Sequence, residues 1–432
     1  MATNSTINLS PPPTTSPPSL IPTTTILLLL STYLLAVHLL RFSRRDSMIS
    51  TLGYTTRESL QSMTNTDAQR IMKYIGELEF PTIHMKSLQF ALFKTYGIPT
   101  ISKLLVDTKQ FSSKENASRR YADTTILISE FASHHPRHPR VLKAISRMNY
   151  LHSSYQKAGK ISNGDLLYTL SVFINEPIAW INKYEWRKLD DMEICAFSTF
   201  WKGIGDAMGI EYHELSHWNA QTGKGEWKDG LEFYEDLQTW AEEYERQFMV
   251  PNGYNKKTAN ELVPMLLFYV PKGLQPFARE AVGALMGPLL RKAMMYPDPS
   301  ASNERITSWI LIARKYFLRH FALPRGEWMR VREISDSDDQ GTNGRFHSKG
   351  YLVHPFYQKP DFWSRWGPQA LLVRLAGGFV PDEKMVSWKP QGYKFEEVGP
   401  ERRENQGLEE MKEGIEKLEM ERTAGCPFAF GR

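Results

Sequence analysis

The stretch TTTILLLLSTYLLAVHLLRFSRR, Thr23 to Arg45, constrains this chain more than any other, because almost every side chain from Ile26 to Leu40 is apolar. A helix over Thr23 to Phe42 is ~30 Å long at 1.5 Å per residue, enough to cross a hydrocarbon core. The competing reading is a cleaved signal peptide. That needs a basic residue before the apolar run and a small-residue cleavage site after it, and neither is present. An uncleaved single transmembrane helix is therefore expected at 23–42. Arg41, Arg44 and Arg45 follow it directly and nothing positive precedes it, so the positive-inside rule places the body in the cytosol. The tail, 1–22, is uncharged and rich in Pro, Ser and Thr. It cannot build a core and is expected to be disordered on the lumenal side. Two sequons there make Asn4 and Asn8 candidate glycosylation sites, while the Asn116-Ala117-Ser118 sequon falls on the cytosolic side.

The body carries 41% hydrophobic and 23% charged residues, ample for a large core. A net charge of +5 over 432 residues, with no basic stripe, gives no argument for nucleic acid as a partner. Cys195 and Cys426 are too few for a disulfide framework, in keeping with a reducing compartment. The periodicity is helical and the expected class is all-α. Val141, Ile145, Met148 and His152 fall on one stripe of a helix that starts near Pro139. Leu166, Leu167, Leu170 and Phe173 line the next helix, capped from Asn163, with Pro177 disturbing its end. Asp190-x-x-Glu193 reads as a capping box ahead of the Ile194–Phe197–Trp201–Ile204 stripe. RITSWILIARKYFLRHF reads as a buried helix. The organisation expected is a linker over 43–75, a main domain over 76–330 and an extension over 331–432. That extension ends in a charged helix with Leu408, Met411, Ile415 and Leu418 on one face.

Two motifs suggest metals. His213-Glu214-Leu215-Ser216-His217 matches H-E-x-x-H, in which two His one helical turn apart bind Zn²⁺ and the Glu activates water. Glu232, Glu235 or Asp236 could supply a third ligand. The chemistry requires a helix, yet Gly203, Gly205 and Gly209 precede the motif and Gly223 and Gly225 follow it, which reads as a loop. A membrane-tethered zinc metalloprotease is kept as the alternative. Asp336, Asp338 and Gly341 echo a calcium loop, but Gln340 and His347 stand where ligands are needed, so this too reads as a plain loop.

The third constellation joins two helices. Arg120, Asp123 and Thr124 stand at i, i+3 and i+4, a polar trio among Ile126, Leu127 and Ile128. It is either an exposed face or a polar spot lining a pocket. His152 lies on an apolar stripe, as a satisfied core histidine would, and a buried imidazole without an evident partner also suits the proximal side of a haem iron.

The residues around these groups, RYADT and RMNYLHSSYQKAGKISNGDLLYTLSVFINEPIAWINKYEWRKLDDMEICAFSTFWKGIGDAM, resemble the fungal membrane-bound oxygenases of the mpaB type, which group with the bacterial latex clearing proteins. VPKGLQPFAREAVGALM resembles the family's later helices, and the likeness covers about Phe80 to His320. The resemblance implies a globin-related helical domain that binds haem b and uses O₂ to cleave a carbon–carbon double bond in a prenylated or terpenoid substrate of secondary metabolism. It implies an ER membrane location. It places the proximal ligand on His152 and the distal motif on Arg120, Asp123 and Thr124. Asp123 departs from the bacterial pattern, which has a Lys there able to ligate iron, so an open distal position is expected. A non-catalytic haem- or lipid-binding membrane protein with the same fold is a further alternative.

Overall fold

The structure is a computed structural model and describes residues 22–109, 114–335, 344–350, 354–421 and 427–428. It is mostly helical. Among the described residues the only strands are Trp218–Asn219 and Lys224–Gly225, which pair in one short hairpin. Asn4, Asn8, Cys426 and the Asp336–Gly341 loop lie outside the described residues.

Helix α1, Thr23–Leu40, is the apolar segment seen in the sequence. It leaves Leu28, Leu35 and Leu39 exposed and buries only Val37. Among the described residues no other helix is long and apolar enough to cross a membrane. The 43–75 stretch is not the linker expected. It forms α2 (Ser43–Leu52), α3 (Arg57–Leu60) and α4 (Asn65–Tyr74), and α4 buries Ala68, Ile71 and Met72 against the body. The apolar spacing of α4 is short and interrupted by polar residues. Only the packing partner shows that Asn65 and Gln69 also go inside. A π-helical turn, Ile75–Glu79, leads into α5 (Pro81–Thr95), followed by α6 (Pro99–Asp107) and α7 (Lys114–Ser133).

The core is built around α8 (Pro139–Lys157), α9 (Asn163–Tyr184) and α10 (Asp191–Ala207). Ser162, one residue before the expected cap, caps α9 in a reciprocal pair with Asp165. Pro177 sits inside α9 without ending it, because packing against α5 holds the turn. Asp190 and Glu193 form the expected capping box, and Glu193 also receives two bonds from Arg187, at 2.6 and 2.7 Å. Helices α11 (Gly230–Phe248), α12 (Gly253–Leu266), α13 (Gln275–Ala293) and α14 (Ala301–Phe321) complete the main body. The expectation of a buried helix at the last of these is overturned. Only Thr307 of α14 is buried, because Arg314 and Arg319 turn toward the body beside a partly buried Leu318, while Trp309, Ile310, Tyr316 and Phe317 stay exposed.

The extension contains α15 (Phe362–Trp366), α16 (Pro368–Leu375) and α17 (Leu408–Glu421). Helix α17 lies on α8 and buries Met411 and Leu418. Arg147 of α8, itself fully buried, donates to the carbonyls of Val398, Gln406 and Arg403 at 2.8–2.9 Å. One guanidinium thus satisfies three backbone acceptors and ties the extension to the helix that carries His152.

Candidate functional site

The candidate site lies between α7 and α8, closed by α5, α6, α9 and α10. On α7, Arg120, Thr124, Leu127 and Phe131 follow one another at i, i+4, i+7 and i+11 and so share one face. On α8, Met148, Leu151, His152 and Tyr155 do the same. The space between them amounts to about 1490 Å³ including its open mouth. Its walls are mainly Leu, Ile, Phe and Trp. Phe173 and Trp201 stack at 4.8 Å along one side, and Lys160 and Arg403 add cations. Helix spacing thus brings Arg120, Thr124 and His152 to one cavity.

His152 is partly buried and borders the cavity. Burial, with the nearby Arg120 charge second, lowers its pKa to about 4, so the imidazole is neutral at physiological pH. Its Nδ1 is buried without a hydrogen-bond partner, as are Arg120 Nε and Trp201 Nε1. Three orphaned polar nitrogens around one cavity are unusual, since buried donors and acceptors are otherwise paired. Thr124 is less free than the sequence suggests, for its hydroxyl donates to the Arg120 carbonyl at 2.9 Å.

Asp123 does not line the cavity. It is 3% exposed, on the neighbouring face of α7, and accepts the Tyr357 hydroxyl at 2.7 Å. Arg119 Nε stands 4.0 Å from it, and Arg119 continues to Glu401 and Glu404 of the extension. The trio read from the sequence is therefore split: Arg120 and Thr124 line the cavity, and Asp123 goes to Tyr357 and Arg119. Residues i and i+3 share a face only broadly, and here the boundary between cavity and extension runs between them. Burial raises its pKa to about 6, opposed first by Arg119 and then by the Tyr357 hydrogen bond.

Sequence reasoning missed Arg403, Pro400 and Tyr357. The first two reach the cavity and the third holds Asp123, all from more than 230 positions downstream. No local pattern marks them. Trp201 and Phe173 were legible only as core positions.

A smaller cavity, about 780 Å³ including its mouth, lies on the other side of α7, bordered by His84, Tyr121 and Glu333, and it shares Leu92 and Ile128 with the first. His84 is buried and neutral, with its pKa lowered to about 4 by burial.

The H-E-x-x-H pentapeptide is not on a helix. Helix α10 ends at Ala207, α11 begins at Gly230, and His213 to His217 lie in successive turns. His213 is half exposed beside Glu211, at 3.2 Å. His217 pairs with Asp236 at 3.0 Å, and Asp236 also accepts from Ser216 and Trp227. The suggested third ligand is therefore the anchor of the loop. Among the described residues no group of three His, Cys, Asp or Glu could hold a metal ion.

The fold and site define a mostly helical protein with an exposed apolar N-terminal helix and one apolar cavity holding a neutral histidine opposite an arginine. No family model matches the chain. It is 40% identical over 396 residues, 92% of each chain, to the ER-bound oxygenase mpaB' of Penicillium brevicompactum. It is 36% identical over 382 residues, 88% of this chain and 87% of the other, to the ER-bound oxygenase mpaB of the same organism. A third relative, the ER-bound oxygenase mpaB of Penicillium roqueforti (strain FM164), is 42% identical over 266 residues, 62% of this chain and 88% of that one. The chain belongs to the family of the ER-bound oxygenase mpaB.

Proposed function

We propose that the protein is an ER-membrane oxygenase that holds haem b through His152. Using O₂, it cleaves a carbon–carbon double bond in a prenylated or terpenoid substrate of secondary metabolism. The observation that carries the reading is the juxtaposition of His152, neutral and with a partnerless Nδ1, and Arg120 in one apolar cavity. An axial haem ligand needs a deprotonated imidazole nitrogen. Asp165 also lines the cavity, held by Thr100 and Tyr244, but among the described residues no three His, Cys, Asp or Glu are grouped as a zinc cage requires, and a lone histidine suits haem better. Lys160, Arg403 and Arg120 offer positive charge to the carboxylates of the macrocycle.

Bound there, the haem would supply the iron chemistry that activates dioxygen. The residues of the chain account for the rest. His152 provides the imidazole and is held in place by α8, which Arg147 and α17 brace from behind. Arg120 brings a guanidinium, its Nε without a partner, to the cavity as a donor toward developing negative charge. Thr124 lines the cavity, and its hydroxyl proton is committed to the Arg120 carbonyl. Leu92, Leu127, Phe131 and Trp201 exclude water and match an isoprenoid chain by apolar contact. Asp123 acts outside the cavity, on the extension.

In this reading α1 is the single span, the tail bearing Asn4 and Asn8 is lumenal and the catalytic body is cytosolic. The purified full chain should show a Soret band that His152→Ala loses or shifts, with oxygen uptake on a prenylated substrate lost in the same variant. Full haem occupancy and normal turnover in His152→Ala would refute the assignment. Haem without oxygen uptake on any prenylated compound would favour a non-catalytic binding protein.

A further inference from the structure

Helix α14 leaves an aromatic face outside. Toward the body it turns Leu318 and three cations: Arg314 reaches Glu185 at 2.9 Å, and Lys315 and Arg319 reach the carbonyls of Lys183 and Trp186 at 3.4 and 3.2 Å. Its opposite face is apolar and open, with Trp309 69%, Ile310 54%, Tyr316 61% and Phe317 58% exposed. A surface helix in water has the opposite arrangement, with its apolar stripe on the core. An exposed contiguous face of this kind marks an interaction site.

The face is continuous with α1. Tyr33 donates its hydroxyl to the Phe321 carbonyl at 2.7 Å, Arg41 donates to the Ala322 carbonyl at 2.6 Å, and Val37 is buried at the junction. The last turn of α14 therefore meets α1 at Tyr33, about 10 Å before the end of α1 at Leu40. If α1 spans the bilayer with Leu40 near the cytosolic boundary, the Phe321 end of α14 sits at the depth of the acyl chains and headgroups. Trp and Tyr favour that depth. Trp328, 87% exposed, follows within two turns of chain.

We propose that α14 lies in the cytosolic interface of the ER bilayer, with its Trp309–Phe317 face in lipid beside the anchor. The protein is then attached by two elements, a span and an interfacial helix. This rests on the reading of α1 as a membrane span. The consequence is orientation. Helix α9 runs from the cavity to the base of α14, and its stretch from Phe173 to Tyr184 covers about 16 Å. Two-element attachment fixes the cavity at a set height and angle above the membrane, where a single span would leave the body free to swing.

The test uses the full chain with Cys426→Ser, since Cys195 is fully buried and takes no label. Trp309→Cys and Phe317→Cys carry the question, with Leu35→Cys on α1 as the membrane control and Lys157→Cys at the cavity end as the solvent control. Each is labelled with bimane and reconstituted into phosphatidylcholine vesicles with brominated acyl chains. The expected result is quenching at positions 309 and 317 by about the same factor as at position 35, and none at position 157. Quenching at position 35 alone overturns the proposal and leaves the anchor reading standing. Loss of quenching at position 35 as well overturns the anchor reading beneath it. Efficient bismaleimide cross-linking of the 309 or 317 variant between copies in detergent assigns the face to a second copy and likewise overturns the proposal.

Discussion

Replacing Asp123 by Asn tests whether this carboxyl serves the cavity or the extension. The group is 3% exposed, and burial raises its pKa from 3.8 to about 6 against the pull of Arg119 and the Tyr357 hydrogen bond. A carboxyl that holds its proton more tightly folded than unfolded favours the fold at low pH. Its contribution is full below 3.8, falls as the pH rises to 6 and stays lost above that. The difference is about 3 kcal/mol, at 1.36 kcal/mol for each tenfold change in proton affinity. Asn cannot ionise, and its amide oxygen can still accept the Tyr357 hydroxyl. Asp123→Asn should therefore match the parent near pH 3.5 and exceed it by up to about 3 kcal/mol above pH 6. Urea denaturation of the full chain in detergent, followed by tryptophan fluorescence at both pH values, measures this. The haem spectrum should not change, because the carboxyl faces away from the cavity. If the variant is weaker than the parent at pH 7.5 by more than about 1 kcal/mol, Arg119 stabilises the ionised carboxylate and the reasoning fails.

Arg147→Ala strips three carbonyls of their donor and should cost about 3–6 kcal/mol, read as a lower urea midpoint and faster tryptic cleavage within 399–421. Unchanged cleavage would show that α17 holds the extension unaided. Arg120→Ala should keep the cavity and the haem spectrum yet slow turnover roughly 10²-fold, and turnover within a factor of two of the parent would remove Arg120 from the chemistry. His213→Ala with His217→Ala should leave activity and zinc content unchanged, since His217 only pairs with Asp236 at the loop. Stoichiometric zinc lost in that variant would revive the metalloprotease. Protease added to sealed microsomes should digest the body and spare the tail, and a protected body would invert the topology.

Much of the site was legible because helix spacing is local. The Val141–Ile145–Met148 stripe announces that His152 turns inward, and Arg120 with Thr124, four residues apart, must share a face wherever α7 packs. The glycines flanking His213 to His217 likewise read as a loop, and those residues lie in turns. Asp123 was not legible. Its neighbours in sequence point to the cavity, but its partner is Tyr357, and no periodicity joins positions that far apart.

The sequence by itself determined the apolar N-terminal helix, the helical class and which side chains share a face within α7 and within α8, because each follows from the period of one element. Only the tertiary structure decided which face of each helix meets which neighbour. It turned 43–75 from linker into core by supplying a wall for α4. It turned α14 over so that its cations reach Glu185 and Trp186 while its aromatic side chains are left outside. It also brought Arg403 to the cavity and Tyr357 to Asp123. These contacts depend on long-range packing, in which the free energy of an apolar stripe is set by what it packs against and not by the stripe alone.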